Sequence, residues 1–142
     1  MKESRRGSCH CRAVRFVCEI DLVTADTSRC NCSMCAKGRF WKVLVRPSEF
    51  RLAQGADMLS EYRFGSGGVG HYFCRTCGIK LFGRVRLEDM SAATETSSSD
   101  YYAVNVACLD DATDEELASV LVRYEDGCND DWGRPPAETR HL

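Results

Sequence analysis

The chain lacks an apolar stretch of the length that a membrane-spanning helix needs. A run of about 18 or more apolar residues, which such a helix requires, is missing from its 142 residues. The first ten residues, MKESRRGSCH, also lack the apolar segment of a secretory signal peptide. We therefore expect a cytoplasmic protein that has no membrane partner.

Runs of basic residues are also missing. Lys and Arg are scattered, and the sequence pI is about 5.9, so nucleic acid is not an expected partner. The net charge of −2 nevertheless conceals an asymmetry. Residues 1–86 carry 16 Lys and Arg against 7 Asp and Glu, whereas residues 87–142 carry 3 against 14. The basic excess of the first part suits a small anionic ligand.

Cysteine, in contrast, is abundant. Seven of the ten cysteines fall into three short clusters, at residues 9–11, 30–35 and 74–77. A disulfide-bonded secreted domain is one interpretation. However, two cysteines one residue apart are poorly placed to pair, and a chain without a signal peptide stays in a reducing compartment. Metal binding, with zinc as the expected ion, is the favoured interpretation.

Two of the clusters together supply the four thiolates that a closed structural zinc site requires. Cys9 and Cys11 offer two sulfurs, and Cys74 and Cys77 offer the other two. Gly78 permits the tight turn of the second pair. Since binding energy at such a site is largely folding energy, we expect this zinc to stabilise the domain.

The third cluster supplies only three thiolates, from Cys30, Cys32 and Cys35. A zinc with three protein ligands keeps one position for a substrate. An external thiol is the natural occupant, because zinc deprotonates a thiol that coordinates it. Two zinc ions per chain are thus expected. The alternative is a second closed site, completed by one of the remaining cysteines, which are Cys18, Cys108 and Cys128.

The pattern of apolar residues predicts a mostly β domain. Strands are expected at residues 13–20, 40–45, 60–64, 70–73, 79–87 and 101–109, with a short helix that Thr113 caps. Residues 65–68, GSGG, predict a turn between two of these strands. The polar segment 91–99 is expected to form a long loop.

These motifs resemble the glutathione-dependent formaldehyde-activating enzyme family, also called the CENP-V/GFA domain family. The resemblance extends over nearly the whole chain. It rests on GSCHC at residues 7–11, CNCSMC at 30–35, HYFCRTCG at 71–78, VNVACLD at 104–110 and DGCNDDW at 126–132.

The resemblance implies a single-domain β-tent fold of several small antiparallel sheets, with the zinc-binding cysteines on loops. It places Cys9, Cys11, Cys74 and Cys77 on a structural zinc, and Cys30, Cys32 and Cys35 on a catalytic zinc. The implied activity is that of a carbon–sulfur lyase, which joins glutathione to formaldehyde as S-(hydroxymethyl)glutathione. Residues 1–134 would form the zinc domain, and residues 135–142 a poorly ordered tail.

Two other hypotheses remain open at this stage. One is a related lyase that acts on another thiol conjugate. The other is a non-catalytic zinc module that binds a protein partner. The expected partner for either lyase is a small-molecule thiol, and the sequence does not indicate an oligomeric state.

Overall fold

The computed structural model describes residues 1–86 and 100–142. The predicted loop 91–99 and the predicted end of the strand at Leu87 lie outside the described residues. The described strands and helices are, in chain order, β1 Glu3–Ser8, β2 Arg15–Ile20, β3 Asp26–Cys30, α1 Ser33–Gly38, β4 Trp41–Val45, β5 Phe50–Gln54, β6 Leu59–Tyr62, β7 Val69–Cys74, β8 Lys80–Val85, β9 Tyr101–Asn105, α2 Asp114–Ser119 and β10 Leu121–Glu125.

Within the described residues, the strands form two sheets. The smaller has the order β1-β2-β5, and the larger has the order β10-β3-β4-β9-β8-β7-β6. Neighbouring strands are antiparallel except β3 and β10, which are parallel and pair Cys30 with Glu125. Two parallel strands that lie side by side need a long connection. Here the other strands of the larger sheet lie between β3 and β10 in the sequence.

The core lies between the two sheets and is rich in aromatic rings. Phe50 of β5 stacks on Phe16 of the small sheet at 5.5 Å between ring centroids. It also stacks on Tyr102 of the large sheet at 4.2 Å and contacts Phe82 at 4.8 Å. Aromatic pairs at these distances add to the free energy of burial, so one cluster joins both sheets into a single domain.

The prediction of a mostly β, single-domain β-tent architecture is confirmed. The alternating segment 13–20 contains β2, segment 40–45 contains β4, and the GSGG turn joins the antiparallel strands β6 and β7. Thr113 caps α2 with a capping box, since its side chain accepts from the Glu116 N–H. None of the described helices is long and apolar enough to cross a membrane.

One strand ends earlier than the sequence pattern indicates. Segment 101–109 is predicted as a single strand, but β9 ends at Asn105 and a 3-10 turn, Val106–Cys108, follows. The cause is the Asn105 side chain, whose Oδ1 accepts a hydrogen bond from the Ala107 N–H at 3.1 Å. Asn competes for backbone groups in this way and favours turns over strands.

Candidate metal centres

The four-cysteine cluster joins the end of β1 to the end of β7. Cys9 follows β1 in a tight turn, in which its N–H donates to the Val14 carbonyl at 3.1 Å. Cys74 ends β7, and the Gly78 N–H donates back to the Cys74 carbonyl at 2.8 Å. Gly78 has φ 77°, a left-handed conformation that glycine adopts without a steric penalty. The sequence therefore folds each pair of cysteines into a short turn.

The sulfur positions of this cluster fit a tetrahedral zinc ion. Cys9 Sγ lies 3.6 Å from Cys11 Sγ, and Cys11 Sγ lies 3.7 Å from Cys74 Sγ. Zn–S bonds of about 2.3 Å give tetrahedral S–S edges of about 3.8 Å. The four sulfurs, including that of Cys77, lie within 4.8 Å of one another. The ten cysteines are all free thiols, so this cluster could hold a metal ion.

The three-cysteine cluster is built at the junction of β3 and α1. Cys30 is the last residue of β3, and Cys32 is the N-cap of the six-residue helix α1. The Cys32 N–H donates to Cys30 Sγ at 3.3 Å, and the Cys35 N–H donates to Cys32 Sγ at 3.4 Å. The first helical turn thus brings Cys35 back beside the other two sulfurs, all three within 4.8 Å.

Hydrogen bonds make one of these thiols strongly acidic. Bonds from the Cys30 and Cys35 thiols, and from the Cys35 backbone N–H, lower the pKa of Cys32. The same hydrogen bonds raise the pKa values of Cys30 and Cys35, because their thiols are the donors to Cys32. Because thiol ligands must be deprotonated, a bound metal ion would also displace the protons of Cys30 and Cys35.

The described residues bring no fourth Cys, His, Asp or Glu ligand atom into this cluster. Cys18 is fully buried in the hydrophobic core, and Cys108 Sγ donates to the Lys80 carbonyl at 3.5 Å. Cys128 comes near, but its Sγ donates to the Asn31 carbonyl at 2.8 Å. None of the three cysteines considered as a closing ligand joins the other sulfurs.

The loop after β10, residues 126–132 and called the enclosing loop below, packs against the three-cysteine cluster. No pattern in the sequence predicts this contact. Asn31, between two of the cysteines, donates through Nδ2 to Asp126 Oδ1 at 2.8 Å, and its own Oδ1 accepts from the Cys128 N–H at 3.0 Å. Gly127 lies so close that a Cβ there would be 2.5 Å from Cys30 Sγ. The motif at 126–132 was part of the family resemblance, but no residue type in it indicated this contact.

Two lysine side chains lie near the same sulfurs. Lys80 of β8 is half-buried, and its Nζ lies 2.7 Å from His71 Nδ1 and 3.7 Å from the centroid of the Phe40 ring. Burial lowers the pKa of Lys80 to about 8, although nearby Cys35 and Cys32 raise it. Lys42 Nζ pairs with Glu125, the last residue of β10, which lies opposite Cys30 in the sheet. The site therefore combines sulfur ligands with positive charge.

A shallow hollow, with no enclosed space of its own, lies beside the cluster. Cys30, Cys35 and the Phe40 ring line it, together with the basic residues Arg29 and Arg39. Leu142 also lines the hollow, and the Arg39 guanidinium donates to the His141 carbonyl at 3.2 Å. The end of the described chain thus lies against the site, and the predicted disorder of residues 135–142 stays a prediction.

Comparison with known proteins gives a family match and matches to solved structures. The family described as glutathione-dependent formaldehyde-activating enzyme matches residues 4–125. A crystal structure of a Rhodobacter sphaeroides protein, a structural genomics target, is 35% identical in sequence with a TM-score of 0.66, covering 83% of this chain and 99% of that one. The family match includes all seven clustered cysteines and ends just before the enclosing loop.

Proposed function

Because the chain belongs to the glutathione-dependent formaldehyde-activating enzyme family, we propose that it is a zinc-dependent carbon–sulfur lyase. Its reaction is the addition of a thiol, glutathione in the family's name, to a small aldehyde such as formaldehyde. Cys30, Cys32 and Cys35 hold the catalytic zinc, and Cys9, Cys11, Cys74 and Cys77 hold a structural zinc. Free thiols on the enzyme and the substrate suit the reducing cytoplasm.

The grouping of three sulfurs without a fourth ligand atom among the described residues is the observation that supports this proposal. A structural zinc site has four protein ligands, whereas a catalytic site has three and keeps one position for a substrate or water. The donor set consists of thiolates, which suit zinc. When bound, zinc would supply a positive charge that lowers the pKa of the substrate thiol.

The protein's own groups prepare the site for that chemistry. Backbone N–H groups of Cys32 and Cys35 fix the sulfur positions, so little reorganisation is needed when ligands arrive. The enclosing loop and the Phe40 ring pack against one side of the cluster, where Cys30 is buried. A drier site strengthens the electrostatic interactions that act on developing charge.

The basic rim of the hollow suits the carboxylates of glutathione. Arg29 is half-buried and stacks over the Trp41 ring at 5.2 Å, which fixes the plane of its guanidinium. Arg39 is exposed at the mouth of the hollow. A planar guanidinium binds a carboxylate through two parallel hydrogen bonds. We assign Arg29 and Arg39 to the binding of the substrate carboxylates rather than to the chemical step.

Paired cysteine variants test the division of roles between the two clusters. Cys30→Ser should abolish the condensation of glutathione with formaldehyde while the melting temperature stays within a few degrees of the wild type. Cys74→Ser should lower the melting temperature strongly, because the four-sulfur site contributes folding energy. Turnover, zinc content and melting are measured on the same preparations.

The opposite pattern would identify a non-catalytic zinc module. If Cys30→Ser unfolds the domain as severely as Cys74→Ser does, the three-cysteine cluster has a structural role and the lyase proposal fails. If the wild type turns over another thiol conjugate but not glutathione, the enzyme class is retained and the substrate assignment fails.

A further inference from the structure

We propose that the Lys80 ammonium donates the hydrogen bond, and then the proton, to the aldehyde oxygen as the thiol sulfur adds, and that His71 positions it. This inference rests on the proposed thiol addition and adds a catalytic residue to it. Neither residue is a member of the two cysteine clusters.

The position of Lys80 is fixed by two contacts. Its Nζ lies 2.7 Å from His71 Nδ1 and 3.7 Å from the Phe40 ring centroid, in a cation–π arrangement. His71 is only 7% exposed, and burial together with the charge of Lys80 lowers the pKa of His71 to about 4. His71 is therefore neutral at physiological pH, so its Nδ1 can accept a hydrogen bond from the ammonium.

The Lys80 ammonium lies over a ring that borders the three-cysteine cluster. Phe40, over which its Nζ lies, lines the hollow together with Cys30 and Cys35. Cys35 and Cys32 act electrostatically on Lys80 and partly oppose the lowering of its pKa, although burial prevails. A cation held at the edge of the sulfur cluster is placed where negative charge develops during addition.

The Lys80 ammonium forms no ion pair with a carboxylate among the described residues. Lys42, the other lysine near the cluster, is paired with Glu125, whereas no carboxylate in residues 1–86 or 100–142 pairs with Lys80. Its remaining N–H bonds are therefore not committed to an acidic partner. Burial holds the pKa of Lys80 near 8, and a general acid works best when its pKa is close to the working pH.

The chemical step balances without an oxidant or a reductant. The substrate thiol loses its proton to solvent, and its sulfur forms the new bond to the carbonyl carbon. The π electron pair of the carbonyl moves to the oxygen, which takes a proton from the Lys80 ammonium. The resulting amine regains a proton from water, so the net reaction is the addition of one thiol to one aldehyde.

Steady-state kinetics with glutathione and formaldehyde provide the first test. We expect Lys80→Met to lower kcat by about 100-fold, the effect of removing one donor to a developing oxyanion, while KM for glutathione changes little. His71→Gln should keep most of the activity, because its Oε1 can accept from Lys80, whereas His71→Phe should lose it. Zinc content and melting temperature are measured to exclude loss of the site or of the fold.

Alkylation of the full-length protein as purified provides a second test that does not depend on turnover. Iodoacetate carries a negative oxygen that a nearby ammonium attracts, whereas iodoacetamide is neutral. We compare the rates at which the two reagents modify Cys30, Cys32 and Cys35, by peptide mass spectrometry. Lys80→Met should lower the ratio of the iodoacetate rate to the iodoacetamide rate several-fold. Lys37→Met, which removes an exposed lysine of α1, is the matched control.

The two tests separate the failure of this inference from that of the proposed function. An active wild type together with a Lys80→Met variant that keeps kcat within about twofold overturns the role of Lys80 alone. A wild type that is inactive with glutathione and formaldehyde overturns the proposed function. In either case an unchanged alkylation ratio in Lys80→Met, or an equal change in Lys37→Met, shows that Lys80 does not face the sulfurs.

Discussion

At the scale of single residues, the three-cysteine cluster depends on a neighbour that contributes no side chain. Gly127 packs its backbone against Cys30 Sγ, and a Cβ built there would lie 2.5 Å from that sulfur and 2.7 Å from the Trp132 ring. Real Cβ atoms do not approach other atoms so closely, and the interior of a protein is too densely packed to absorb the overlap. The sulfur would have to move.

We therefore expect Gly127→Ala to weaken metal binding at the three-cysteine cluster by about 10- to 100-fold, the usual cost of disturbing groups next to metal ligands. The four-cysteine cluster should keep its metal. Zinc affinity is measured by competition with a chromophoric chelator.

Gly133→Ala is the matched control for this change. The nearest atom to a Cβ at Gly133 is 3.8 Å away, an ordinary contact, so its zinc affinity should equal that of the wild type. Equal affinities for Gly127→Ala and the wild type would show that the loop is free to move away from Cys30.

Residue identity alone predicts the cysteines of both clusters but not the groups around them. Cys residues are scarce, and their spacing reports directly on metal binding. Lys80 and His71 are nine residues apart and look like ordinary strand residues in the sequence. They come together only through the pairing of β7 with β8 and the bulge near Tyr72. A contact made by a glycine backbone, as at Gly127, leaves no chemical signature in the sequence.

At the scale of secondary structure, each of the two cysteine clusters combines a strand end with a tight turn. The backbone conformation of that turn is part of the site. Gly78 closes the turn after Cys74 with φ 77°, and a Cβ there would meet no atom within 4 Å. Gly38, the last residue of α1, has the same open surroundings with no positive φ. The two glycines thus differ in backbone conformation and not in packing.

This pair isolates the contribution of the backbone. Gly78→Ala should lower the free energy of unfolding by about 1–2 kcal/mol, since an L-residue is strained in the left-handed region. Gly38→Ala should raise it by about 0.5–1 kcal/mol, because alanine loses less conformational freedom in a helix. Chemical denaturation at a fixed zinc concentration measures both. A stabilising Gly78→Ala would contradict the assignment of strain to this turn.

The elements that the sequence predicts are those with a strong local pattern. β2, β4 and the β6–β7 hairpin show alternation or turn residues, and α2 has a capping box. β3, with the sequence DTSRC, is polar, and its place in the sheet depends on pairing with β10. α1 is a single short helix whose N-cap is a cysteine, an unusual capping residue. Neither β3 nor α1 has a local signal strong enough to be predicted.

At the scale of the whole molecule, the charge asymmetry of the sequence becomes a set of contacts between its two parts. The basic first part and the acidic second part meet through ion pairs across the fold: Arg5 with Glu116, Arg6 with Asp111, and Lys42 with Glu125. Exposed pairs contribute little to stability. Their main effect is that part of the basic excess is paired with acidic residues of the second part.

The two metal clusters should differ in how they respond to a chelator. Both clusters mix buried and more exposed sulfurs, but one groups four cysteines and the other only three, and fewer ligands hold a metal less tightly. We expect the zinc ion of the three-cysteine cluster to be removed first, with loss of turnover and little change in circular dichroism. Removal of the second should unfold the domain, because its binding energy supports folding.

Zinc release and far-UV circular dichroism, followed together during titration with the chelator, measure the two steps. A single step in which both ions leave as the domain unfolds would mean that the clusters are energetically inseparable. Metal analysis of freshly reduced protein should give close to two zinc ions per chain at the start.

The parallel pairing of β3 with β10 has a consequence for how the protein is made. The three thiols at residues 30–35 are translated well before the strand and loop that cover them, residues 121–132. At 5–20 residues per second, that interval is on the order of 5 to 20 s. Throughout it the nascent chain carries an uncovered set of thiols, which are open to oxidation or to capture of a metal ion before the covering strand and loop are made.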